Sequence, residues 1–191
     1  MAIKTIRNWE LAGIPVIFLT GSAMHFVFEL TGYWPPIAWL VAVNESVWEH
    51  FKLAFWPAVI YAALEYVFAR KSARNFWLGK SLGIFFMPLF IGVTYYSYMA
   101  ILGQFCLWID IASFFVAIVL GQLISLRLLT APQAGAGLQR LGAIGLWTMI
   151  ATFVVFSYAP PRTFLFKDYY KDEYGILQQY DMPVLSATQS K

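Results

Sequence analysis

The residues whose types could do chemistry are concentrated in one short run, Asn44-Glu45-Ser46-Val47-Trp48-Glu49-His50-Phe51-Lys52, and in the apolar segment before it, where His25 and Glu29 stand four apart. A four-residue spacing brings two side chains to one face of a helix, so His25/Glu29 and Glu45/Glu49 each form a pair. In helical geometry Glu45, Glu49 and Lys52 share a face, and His50 is turned about 100° from Glu49. Further along come Tyr95, Tyr96 and Tyr98, then Asp110.

Two histidines and several carboxylates supply nitrogen and oxygen ligands for a divalent transition metal such as zinc, iron or manganese. A water on such an ion could attack a lipid-like substrate, with Glu49 as base. The same groups, with Lys52 and the tyrosines, could instead hold a proton, a cation or a polar headgroup in a binding or transport cavity. A purely structural role competes with both. Glu45 and Glu49 would then complement a helix N-terminus, worth about 0.3–1 kcal/mol each, with Lys52 paired to Glu49 and His25 to Glu29. His25 or His50 could also serve as an axial haem ligand, although the sequence reveals no matched pair on opposing helices.

Other chemistries lack their motifs. There is no H-E-x-x-H or E-x-x-H, and Gly79-Lys80-Ser81 lacks the upstream glycines of a phosphate-binding loop. The lone Cys106 rules out an internal disulfide and a cysteine-based zinc cluster. No Lys/Arg-rich block occurs, so nucleic acid is not expected as a partner.

The elements that must carry these residues are membrane helices. Hydrophobic residues make up 60% of the 191 positions and charged residues 12%, about half the charge share of a soluble domain. Mean hydropathy is +0.65. Stretches at about 11–32, 46–69, 77–101, 105–127 and 141–158 are each long enough to cross hydrocarbon. Pro35-Pro36 ends the first, and the following 37–43 is too short to span, so it is expected at or dipping into the interface. Ser46 and Glu49 fit a capping box at the start of the second span, and Pro57 should kink that span. Small residues at Gly21-Ser22-Ala23 resemble a cleavage site, yet the apolar run continues past them, so an uncleaved first span is expected.

Lys4 and Arg7 precede the first span, Arg70, Lys71, Arg74 and Lys80 surround the second join, and Arg127 and Arg140 flank the fourth. The loops after spans one and three carry neither Lys nor Arg. This alternation predicts a cytoplasmic N-terminus and a tail on the opposite side. His25, Glu29, the tyrosines, Glu45 to Lys52 and Asp110 then all lie in the non-cytoplasmic third of four spans. Ionisable groups are costly at that depth and mark candidate sites. In the cytoplasmic half only Glu65 stands out, expected to pair with basic residues near Arg70. Trp9, Trp34, Trp39, Trp48, Trp77 and Trp108 fall near span ends, as an interfacial belt predicts. Residues 160–176 are too aromatic for a disordered linker and should fold back over the Glu45–Lys52 region, whereas the last ten read as disordered.

The Asn44–Lys52 run, with Phe164-Leu165-Phe166-Lys167-Asp168 and Tyr174-Gly175-Ile176, resembles a family of small bacterial multi-pass membrane proteins carrying an N-E-S-x-W-E-H-x-K motif. That resemblance implies a bacterial cytoplasmic membrane and brings no activity, cofactor or catalytic residue. The expected fold is all-α, a five-span helical domain over 1–158 with an extracytoplasmic tail over 159–191. The expected role is that of a membrane binding or accessory protein with a metal or ligand site near the outer leaflet. The alternatives are a membrane-embedded metal-dependent hydrolase and a small transporter or proton/cation-coupled subunit, the chain acting as a homo-oligomer or in a larger membrane complex.

Overall fold

In hydrocarbon every backbone N–H and C=O must be satisfied within the protein, which favours helices. The computed structural model describes residues 2–168 and 170–176. Five helices in it are long and apolar enough to cross a membrane: α1 (Ala2–Leu30), α2 (Val47–Phe68), α3 (Phe76–Leu102), α4 (Leu107–Thr130) and α5 (Ala136–Tyr158). The fold is all-α. Among the described residues no strand forms, and one isolated antiparallel bridge joins Lys167 to Tyr174. The last ten residues, expected to be disordered, lie outside the described residues.

Two helices begin earlier than their apolar runs. Helix α1 starts at Ala2 rather than near residue 11, because Glu10 is buried inside it and pairs with Lys80 of α3. Helix α5 starts at Ala136 rather than 141, and its polar first turn is held by Gln139, whose Nε2 donates to Asn75 Oδ1 at 2.8 Å. Hydropathy alone misses both starts, since a satisfied polar group costs little helix.

Helix α2 is the most enclosed of the five; Lys52, Ala54 and Phe55 are fully buried in it. Helices α3 and α4 form the most extensive pairing. Their backbones meet at glycine: a Cβ on Gly83 would lie 2.6 Å from the carbonyl oxygen of Gly121. Small residues permit such close approach where lipid supplies no hydrophobic drive between helices.

The segment 37–43 is apolar because it packs inside the protein. A 3-10 turn at Pro35–Ile37 leads into it, and Ala38, Val41, Ala42 and Val43 are all buried. Trp48 likewise departs from the belt expectation. It stacks on Phe153 of α5 at 4.5 Å and meets Phe166 at 4.6 Å. Trp34 and Trp108 do stand exposed near helix ends.

The α1–α2 connection, the α3–α4 connection and the segment after α5 gather at one end. Asn44 Nδ2 donates to the Gly175 carbonyl at 2.8 Å, and the Phe105 and Tyr170 rings are 6.5 Å apart.

Candidate functional site

Helix α2 starts one residue after Ser46, whose Oγ accepts from Glu49 N at 3.4 Å. Only half of the expected capping box forms. Glu49 does not reach back to Ser46 N, which donates instead to Asn44 Oδ1 at 2.9 Å. Glu45 therefore lies before the helix, and its four-residue spacing to Glu49 does not put the two on one face.

Glu49 turns inward. Its Oε2 accepts from Val43 N at 2.9 Å and lies 2.5 Å from Lys52 Nζ. Lys52 also donates to the Ala38 carbonyl at 2.7 Å and to Ser157 Oγ at 3.1 Å. An ammonium has three donors, and these three partners use them all. This pair ties α2 to the buried segment 37–43 and to α5. Glu49 is therefore not at the cavity, so the base role read for it from the sequence does not fit the geometry. Nor does Lys52 line the cavity.

His50 turns the other way. Its Nδ1 lies 2.9 Å from the Ser46 carbonyl oxygen, which can only accept, so Nδ1 carries the proton. Nε2 then faces Glu45 Oε2 at 3.5 Å, while His25 Nε2 of α1 lies 3.9 Å from Glu45 Oε1. The two imidazole rings are 5.4 Å apart. This is the pairing of histidines on opposing helices that the sequence did not reveal. One ligand atom from each of His25, Glu45 and His50 lies within 4.8 Å of the others. A tetrahedral ion with bonds of about 2.0–2.2 Å separates its ligand atoms by about 3.3–3.6 Å. The two distances from the histidines to Glu45, 3.5 and 3.9 Å, are within a few tenths of an ångström of that, while the trio as a whole spans up to 4.8 Å and would have to draw together around an ion.

The trio borders a cavity of about 590 Å³ that also receives Asp110, Tyr95 and Tyr170 among mainly apolar walls. Asp110, in the first turn of α4, accepts from the Tyr98 hydroxyl at 2.9 and 3.0 Å. Tyr96 packs its ring against Phe164 at 5.2 Å and does not line the cavity. Glu29 is exposed one turn nearer the end of α1 and does not line it either; His25 meets Glu45 instead. Asn44 supports the site from behind, holding Gly175 and Ser46.

Two groups escaped the sequence reading. Asp168 is buried, and its Oδ2 accepts from Glu45 N at 3.1 Å while Oδ1 accepts from Tyr170 N at 2.8 Å and Lys171 N at 3.1 Å. It fixes the backbone from which Glu45 projects. The signal available was its place in the Phe164–Asp168 motif.

The second group lies about 22 Å away along α1, fifteen residues at 1.5 Å each. There Lys80 sits between Glu10 and Glu65, with Ser125 Oγ donating to Glu10 Oε1 at 2.9 Å and Gln122 Nε2 to the Glu10 carbonyl at 3.0 Å. Glu65 thus pairs with Lys80 of α3, not with the basic residues near Arg70.

Five helices long and apolar enough to cross a membrane, with their buried charges clustered against opposite charges, define a polytopic integral membrane protein. Residues 1–176 match the model of a family of unknown function, DUF6512, and the chain belongs to that family. No curated protein and no solved structure matches it.

Proposed function

We propose that this membrane protein binds one divalent transition-metal ion through Nε2 of His25, Nε2 of His50 and the carboxylate of Glu45. One observation carries this reading. Nε2 of His50 and the Glu45 carboxylate face each other at 3.5 Å, with Nε2 of His25 at 3.9 Å from the other oxygen of the same carboxylate. With both imidazoles neutral, these are three electron-pair donors converging on one point, an arrangement that a divalent cation would bridge. The hydrogen bond from His50 Nδ1 to a carbonyl is the outer-shell contact that orients metal-bound histidines and raises their basicity. Two histidines and a carboxylate suit zinc in a catalytic-type site or iron(II) in a facial triad, and both leave coordination positions open. We place the site near the outer leaflet of a bacterial cytoplasmic membrane, in line with the Lys/Arg asymmetry of the loops.

A second reading, a metal-dependent hydrolase, is favoured by Asp110. It is a carboxylate on the same cavity that could accept a proton from a metal-bound water.

The test is elemental analysis of the detergent-purified wild type beside His25→Ala, His50→Ala and, as a buried control, Glu49→Gln. Close to one transition metal per chain is expected in the wild type, lost in both histidine variants. Absence of metal from the wild type after reconstitution with zinc, iron(II) and manganese would refute the proposal.

A further inference from the structure

We infer that the cavity seats a bilayer amphiphile, with an acyl chain along its apolar walls and an oxyanion head on the metal ion; this rests on the metal reading above. The cavity's 590 Å³ is far more than a metal and its waters need, and it falls within the range of about 300–1,000 Å³ typical of organic ligand sites. Its floor is apolar and enclosed, with Leu53 of α2 and Ile91 of α3 both buried. A water-soluble ligand would leave those walls wetted, at about 25 cal/mol for each Å² exposed.

The mouth shows which phase the ligand comes from. Phe26 of α1 and Leu107 and Ile111 of α4 line the cavity and are 61%, 54% and 41% exposed. Exposed apolar side chains on membrane spans face hydrocarbon, so the cavity opens sideways between α1 and α4 toward lipid. A ligand taken from lipid brings a chain to match the floor.

The head follows from charge. A divalent ion held by two neutral imidazoles and one carboxylate keeps a net positive charge and is the largest local charge in the site. Its open position takes an anionic oxygen, and that oxygen is the carboxylate of a fatty acid or the phosphate of a phospholipid.

The experiment uses the full chain, loaded with zinc and reconstituted in nanodiscs. One arm contains palmitic acid with a mid-chain diazirine, the other phosphatidylglycerol with the same chain. After photolysis the cross-linked residues are mapped and the zinc content of each sample is measured. Cross-links to the floor, at Leu53 or Ile91, are expected in at least one arm, and that arm names the head. Their yield should fall about tenfold or more on chelation of zinc, as one charged contact is lost. Narrowing the mouth with Ile111→Trp, or the wall with Ser22→Phe, should lower the yield while zinc content stays unchanged. Cross-links confined to outward residues such as Leu19, Val67 and Ile144, in protein that retains its zinc, overturn the inference and leave the metal reading standing. Floor cross-links that persist after chelation overturn the metal's part in holding the head. Protein with neither zinc nor floor cross-links overturns both.

Discussion

Glu49 and His50 are neighbours in the chain and serve different faces of one helix. Glu49 Oε2 lies 2.5 Å from the buried ammonium of Lys52, and His50 Nε2 lies 3.5 Å from Glu45 on the cavity. The 100° turn between successive helical residues separates them. The Asn44–Lys52 run therefore divides into a buried staple, Glu49 and Lys52, and a cavity-facing pair, Glu45 and His50.

The staple should behave as a stability element. Lys52→Met leaves Glu49 as an uncompensated buried charge, and loss of one partner of a buried ion pair costs about 3–5 kcal/mol. The double variant Glu49→Gln/Lys52→Met should cost clearly less than the sum of the two single variants. Reversible unfolding by SDS titration in mixed micelles measures the cycle. Additive losses would mean that the two charges do not interact.

Asp168 should act on the metal without touching it. Asp168→Ala frees the backbone N–H of Glu45 and of Tyr170 and Lys171, so Glu45 loses its fixed approach to the histidines. Outer-shell losses typically weaken metal binding about 10- to 100-fold. Competition with a fluorescent zinc chelator should show a drop of that order, with helical circular dichroism unchanged. Unaltered zinc affinity would remove Asp168 from the site.

The sequence made the spans legible because hydropathy over some twenty residues is a local property. It also picked out His25, Glu45 and His50 by residue type. It could not divide Glu49 from His50. That division depends on where α2 starts and on partners as distant as Ala38 and Ser157, which take up the Lys52 ammonium. Glu10 and Lys80 were hidden for a related reason. Each sits at the edge of an apolar run, where a charge reads as a flank, and only folding shows them buried together.

That second cluster yields a prediction about charge balance. Two carboxylates and one ammonium are buried together there, so the cluster is formally one negative charge in excess. Glu10→Gln removes the excess and keeps an oxygen for Lys80 and Ser125. It should change stability by no more than about 1 kcal/mol, the scale of one hydrogen bond. Lys80→Met strands both carboxylates and should cost about 3–5 kcal/mol or more. SDS titration distinguishes the two. Equal losses would mean that charge balance does not govern this cluster.

Orientation can be tested with the protein's own cysteine. Cys106 directly precedes α4 in the α3–α4 connection, at the end that also holds Asn44 and Gly175. If the basic loops face the cytoplasm, Cys106 faces outward, and a membrane-impermeant maleimide should label it in intact cells. Ser72→Cys in a Cys106→Ser background lies in the Arg70–Ser72 turn between α2 and α3. It should be labelled only after permeabilisation. The two positions lie on successive connections, so a five-span chain cannot show both from the same side. The reverse pattern would put the candidate metal centre at the cytoplasmic face, where the cell's own metal pool rather than the exterior would supply it.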